Sequence, residues 1–413
     1  MVREFGFDGC VGIGLVNSTT PNKPTVAILL GAPFTAQNYE RTGIPYLQEN
    51  FEVVVLDCNP WLRAGYSGLR FAKHGYSQVI TIASANEFEE AARKLKPGYA
   101  IDFVGYGPST HFIQKTLRIH GTKYVVQKTG TAPVSSIAKS ITRQLATAVA
   151  NPFGFLMRAA AKLLRYRRRW RGLEPDVALL AGRKSLDAYT GTARNILWIA
   201  SNDYYIYKNV QEKLAHQGLA LPVQSRYALF IDGCIALASD YTLLGISPPV
   251  EPESYHALLR QAFDRLEQTT GLQVVVAAHP NGKEIEGYAS LFGERPVYFD
   301  MTAELCSQSA LVLAHTSTAL SYAALWTKPL MILTSQTLDK SHLGSAIRET
   351  RQLFQCPLLF MESPDTKYAS ACKQSREVNA GAYRSYIDNY IANDEVAEDA
   401  PWQAFTNFVK LHC

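Results

Sequence analysis

No C-x-x-C pair occurs in this 413-residue chain, and its seven cysteines (Cys10, Cys58, Cys234, Cys306, Cys356, Cys372 and Cys413) are scattered and odd in number. A structural zinc site and a disulfide framework are therefore not expected, which points to a reducing compartment. No D-x-D occurs either, so a Mg²⁺- or Mn²⁺-bridged diphosphate has no evident ligand pair, and neither a metal nor another cofactor is expected. Uninterrupted apolar runs stop short of the roughly 20 residues of a membrane span. The N-terminal stretch MVREFGFDGCVGIGLVNSTT has Glu4 and Asp8 where a signal peptide would be apolar; a cytoplasmic protein is expected. Charge is sparse, at 19 % of residues with a net value of +5. That composition excludes a disordered or coiled-coil chain. The basic excess is too small, without an RNA- or DNA-binding motif, to make nucleic acid the main partner.

What is present is apolar: 47 % of the residues, enough for the cores of two or three domains. Short β-branched runs alternate with helical patterns. Strands are predicted at 26–30, 51–56, 78–82, 100–104, 123–126, 177–180 and 196–199, and again at 227–231, 274–277, 297–299, 311–314, 330–333 and 357–360. Helices are predicted at 86–95, 110–119, 252–270, 302–308, 318–326 and 341–354, with a helical stretch over 382–412. Such alternation argues for parallel sheets covered by helices on both faces. Two doubly wound α/β domains with a cleft between them are expected: residues 1–188, residues 189–381, and a C-terminal segment 382–413 that returns to the first. The seam is placed near Gly182–Arg194.

One segment breaks the pattern. Phe153–Arg171 (FGFLMRAAAKLLRYRRRWR) carries seven basic residues and no acid. Arg158, Lys162, Arg165 and Arg169 share one helical stripe, opposite Leu156, Ala160, Leu163 and Trp170. A basic amphipathic helix of this type suits an anionic bilayer surface; a solvated helix packed on its own domain is the alternative.

Three predicted strands in the second half run straight into short polar tips. YALFIDG (227–233) ends in Asp232-Gly233, where Gly233 would let the chain turn sharply and leave the carboxylate exposed above the sheet. Asp232 there suits a base, a nucleophile, a hydrogen-bond acceptor or a simple turn residue. VVVAAHP (274–280) ends in His279-Pro280, followed by Asn281, Gly282 and Lys283; Pro280 holds His279 extended. A histidine at such a tip can donate to a phosphate or protonate a leaving group. LVLAHTST (311–318) ends in His315, Thr316, Ser317 and Thr318, with a helix predicted from about Thr318. Small hydroxyl residues at a helix start can hold a phosphate oxygen, although one residue suffices for a cap and His315 could face the core. Ligands of open α/β sheets bind outside the carboxyl ends of the strands. In the first half and at the seam, Glu40, Arg41, Arg183, Lys184, Asn202 and Asp203 are candidates for substrate binding. His256, inside an apolar helix, and His74 look structural.

The ordered trio of Asp-Gly, His-Pro and His-Thr-Ser-Thr resembles the motif set of bacterial glycosyltransferases that use CMP-activated acidic sugars. These are the sialyl- and polysialyltransferases and the Kdo transferases of capsule and lipopolysaccharide synthesis. The Lys328-Pro329 pair before the next strand is also similar to many nucleotide-binding halves of the GT-B fold. The resemblance implies a GT-B-like pair of Rossmann-type domains facing a central cleft, the first binding the acceptor and the second a CMP-sugar. It implies metal-independent transfer of a 2-keto acid sugar, most readily Kdo, to a surface glycan or glycolipid at the inner face of the cytoplasmic membrane. His279 would contact the donor phosphate and assist its departure. Thr316, Ser317 and Thr318 would hold that phosphate, alongside Gly233, Pro280, Gly282, Lys283 and His315. Asp232 would be the catalytic carboxylate, as nucleophile or base. Ile231 stands where sialyltransferases often have a second acid, which favours Kdo. The alternatives are a sialic or other nonulosonic acid donor, a UDP-sugar-dependent transferase or epimerase, and a non-catalytic scaffold.

Overall fold

A computed structural model describes residues 23–31, 34, 39, 42–62, 75–107, 110–129, 173–188, 193–216, 221–223, 225–238, 241, 247–394 and 401–412. Glu40, Arg41, His74 and the basic segment 153–171 lie outside the described residues.

Two parallel sheets organise the chain. The first contains β1 (Thr25–Leu30), β2 (Glu52–Asp57), β3 (Val79–Thr81), β4 (Tyr99–Asp102), β5 (Lys123–Lys128), β6 (Val177–Ala181) and β7 (Asn195–Ile199), in the spatial order β3-β2-β1-β4-β5-β6-β7. The second contains β8 (Tyr227–Ile231), β9 (Gln273–Ala278), β10 (Val297–Phe299), β11 (Leu311–Ala314), β12 (Leu330–Thr334) and β13 (Leu358–Phe360), in the order β10-β9-β8-β11-β12-β13. Both are doubly wound. In β1, Val26, Ile28 and Leu30 enter one core cluster while Ala27 and Leu29 enter another. Side chains alternate across a strand, so a strand apolar at every position must be covered on both faces.

Local chemistry ends the helices where the sheets need them to end. Helix Pro252–Thr270 begins with proline in its first turn, and the Glu251 carboxylate accepts from the backbone N–H groups of Glu253 and Ser254. It stops at Gly271 in the left-handed conformation, the usual residue for that position. Helix Ala85–Leu95 opens with Ser84 accepting from Glu87 N while Glu87 accepts from Ala83 N, a reciprocal cap of two otherwise unpaired donors.

The seam falls later than the sequence suggests. β7 pairs with β6 from Asn195 to Ile199, so the first sheet extends past residue 188 to Ile199; its exposed Ile196 marks an edge strand, which a pattern search reads as a fresh start. Helix Ala380–Tyr386 belongs to the second domain, where Phe354 packs on Tyr383 and Tyr386 and the Tyr383 hydroxyl donates to Lys328 O. The helix Pro401–His412 packs into the core of the first domain, through Trp402, Phe405 and Val409. A side chain at Gly43 would overlap the Trp402 indole. None of the helices among the described residues is long and apolar enough to cross a membrane.

Candidate functional site

Strands β9, β8 and β11 are neighbours, and their ends are level: Ile231 lies beside Ala277 on one side and Ala314 on the other. The tips that follow therefore emerge on one rim. The sheet order reverses between β8 and β11, the place where ligands of open α/β sheets bind beyond the carboxyl ends. The Asp-Gly, His-Pro and Ser/Thr tips converge there. Asp232 N donates to Ala277 O, Asp232 Oδ2 accepts from His279 N at 3.2 Å, and a Cβ on Gly233 would lie 3.7 Å from Thr316 O.

Asp232 does not stand exposed. It is 5 % accessible, and both carboxylate oxygens are engaged: Oδ1 accepts from Cys234 N at 2.9 Å, and Oδ2 accepts from His279 N and from the Tyr288 hydroxyl at 2.5 Å. The turn after it is made by Cys234 at φ 51°, not by Gly233. Burial and the adjacent Asp232 push the Tyr288 hydroxyl's pKa well up, so it stays a proton donor. A buried carboxylate needs such donors, because an unpaired one would carry a heavy desolvation cost. The carboxylate that the sequence offers as nucleophile or base is thus buried, and it ties the β8 tip to the β9 tip.

His279 is half-buried at the start of the 3-10 turn Pro280–Glu284, its Nδ1 accepting from Asn281 N at 3.2 Å. That bond places the hydrogen of a neutral imidazole on Nε2, the nitrogen that can donate. Pro280 is exposed beside it. Gly282 is required for packing: a Cβ would come within 2.5 Å of the Tyr288 ring. Lys283 pairs with Asp300, which follows the carboxyl end of β10 beside the β9 tip.

His315 is also turned inward. It is 2 % exposed, with Nδ1 on Leu333 O at 2.8 Å and Nε2 on the Tyr255 hydroxyl at 2.9 Å. The carbonyl can only accept, so Nδ1 carries the hydrogen and Tyr255 donates to Nε2. Burial pulls its pKa down to about 4. Both ring nitrogens are thus engaged within the core, whereas the sequence offers His315 to a phosphate. The helix expected from Thr318 starts at Leu320 and runs only to Leu325. Thr316 and Ser317 are half-buried and Thr318 is exposed, all in the loop. Thr350 Oγ1 donates to Ala346 O, so Thr316 Oγ1 is the donor in its 3.0 Å bond to Thr350. Ser317 Oγ accepts from Ala319 N, which leaves its proton to be donated elsewhere.

The seam candidates form a separate group. Arg183 Nε bonds both oxygens of Asp388, at 3.1 and 2.9 Å, bridging helix Arg183–Ala188 of the first domain to the π-helical turn Ile387–Ile391. Lys184 is exposed on that helix. Asn202 and Asp203 open helix Asn202–His216, and Asp203 Oδ2 accepts from Ser321 Oγ at 2.6 Å. Arg183 and Asp203 thus fasten elements together. His256 is buried with Nδ1 on Pro252 O, its pKa lowered by burial. Tyr288, Tyr255 and Thr350, which complete the site's support, carry no local sequence signal. Among the described residues, no group of three or more His, Cys, Asp or Glu side chains is arranged to hold a metal ion.

No family model matches the chain, and no curated protein matches it by sequence. Solved structures do match. The calicheamicin glycosyltransferase CalG4 aligns over 95 % of this chain and 98 % of its own at 11 % identity, with a TM-score of 0.53. The wall teichoic acid polymerase TagF, in a crystal soaked with CDPG, aligns over 94 % and 88 % at 11 % identity, with a TM-score of 0.51. The fold is GT-B-like. A UDP-GlcNAc 2-epimerase from Neisseria meningitidis, bound to UDP-GlcNAc, aligns over 94 % of this GT-B-like chain and 100 % of its own at 12 % identity, with a TM-score of 0.50. At such identities the likeness is one of fold, and the site must be argued from its own residues.

Proposed function

We propose that this chain is a glycosyltransferase whose nucleotide-sugar donor binds at the β9–β8–β11 rim, and that the donor is a CMP-activated 2-keto acid sugar, Kdo before sialic or other nonulosonic acids. The observation that carries the reading is the convergence of the His-Pro and Ser/Thr tips beside the point where the sheet order reverses. A CMP-sugar has one phosphate, and protein donors suffice to neutralise it. His279 Nε2–H and the hydroxyls of Ser317 and Thr318 supply them. Donation from His279 to the bridging phosphate oxygen stabilises the charge that develops as the nucleotide departs. Asp232 acts behind His279, and the first domain receives the surface-glycan acceptor. The basic segment 153–171 is assigned to an anionic membrane surface; equal flotation with neutral and anionic liposomes would remove that assignment.

The second reading is a UDP-sugar enzyme, favoured by the likeness to an epimerase bound to UDP-GlcNAc. Thermal shift with CMP, CDP, UDP and UDP-GlcNAc separates the two, followed by assay of CMP release from CMP-Kdo and CMP-sialic acid. The first reading predicts stabilisation by the cytidine nucleotides and release of CMP. Selective stabilisation by uridine species would replace it with the second, and no binding or turnover of any donor would refute both.

A further inference from the structure

We propose that Tyr288 is a positioning residue for the donor site, acting through Asp232 to hold the His279 tip in its binding geometry. The inference rests on the donor-site reading above and deepens it. Tyr288 lies in the 3-10 turn Tyr288–Phe292, past the end of the His-Pro loop, and its hydroxyl reaches under that loop to Asp232 Oδ2 at 2.5 Å. The same oxygen accepts from His279 N, and the other accepts from Cys234 N. One carboxylate thus joins three segments: the β8 tip, the β9 tip and the turn that closes the loop. The ring is fixed in turn. It meets Phe292 edge-on at 5.7 Å and tilts against Phe299 at 6.3 Å, and its face fills the space that a side chain at residue 282 would need. A carboxylate with three donors on a rigid frame sets the backbone of residue 279 and thereby the direction of the imidazole.

Without the Tyr288 hydroxyl, Asp232 Oδ2 keeps only the His279 N–H, and the anchor can follow the loop instead of restraining it. The loss should therefore appear in nucleotide binding and should vanish when the imidazole is already gone. A fastening that served only overall stability would affect both backgrounds alike.

The experiment is a double-mutant cycle of Tyr288→Phe and His279→Ala, read by calorimetric titration of CMP, with UDP as second probe, into each full-length protein. Tyr288→Phe keeps the packed ring; thermal melts verify that each variant folds. We expect Tyr288→Phe to weaken binding about tenfold in the wild-type background and less than twofold alongside His279→Ala. Unchanged binding in Tyr288→Phe, or an equal loss in both backgrounds, would overturn the proposal. Should Tyr288→Phe fail to fold, Asp232→Asn tests the same linkage and must show the same dependence on His279. If His279→Ala alone leaves binding of both probes intact, the donor-site reading fails first and this inference with it.

Discussion

His315 is kept neutral by enclosure: its imidazole is buried, bonded to the Leu333 carbonyl and the Tyr255 hydroxyl, and depressed in pKa from 6.5 to about 4. Between those values the unfolded chain binds a proton that the folded chain refuses. The stabilisation is full above about pH 6.5, is lost as pH falls and is gone below about pH 4; the difference corresponds to roughly 3 kcal/mol. Denaturant unfolding at pH 7 and pH 4.5 should show a large drop for the wild type and a smaller one for His315→Gln. Equal drops would contradict the assignment. Gly282 makes a second residue-level test. Gly282→Ala drives a methyl group into the Tyr288 ring and should cost about 1–3 kcal/mol of stability, as overpacking does; an unchanged unfolding midpoint would contradict the packing.

At the scale of elements, the strands were legible because apolar, β-branched runs admit few other conformations. YALFI and LVLA read directly as β8 and β11. The polar tips were legible as well, since each run stops abruptly at a strand end. Depth was not. Whether Asp232 faces solvent depends on Tyr288, 56 residues away, and whether His315 does depends on Tyr255, 60 residues away. Helix Asn202–His216 was missed because NDYYIYKNVQEKLAH has no clean apolar stripe. It is held by side-chain contacts, including Tyr207 against Trp326 at 4.6 Å and Asp203 to Ser321. Asp203→Ala should therefore lower stability by about 1.5–3 kcal/mol, the range for a hydrogen bond to a charged group; no change in denaturant unfolding would show that the helix packs without it.

The whole molecule joins two Rossmann-type domains by the chain after Ile199 and by the return to helix Pro401–His412. The two connections meet where Ser201 N donates to Ile391 O at 2.8 Å. Beside them Arg183 spans to Asp388 in a half-exposed pair. Exposed pairs contribute about 0–1 kcal/mol, so Arg183→Ala should hardly move the unfolding midpoint. A larger radius of gyration by small-angle scattering is expected from the loss of this bridge, and an unchanged value would show that the backbone crossings alone fix the domains. The fold and its two-domain division follow from strand order. The donor assignment is a matter of chemistry at a single rim.

The most direct test of that assignment is calorimetric titration of CMP into the wild-type protein and His279→Ala. Loss of one charge-assisted phosphate contact should cost about 1.5–3 kcal/mol, a roughly 10- to 150-fold weaker Kd. Identical affinities in the two proteins would place the nucleotide elsewhere and contradict the account.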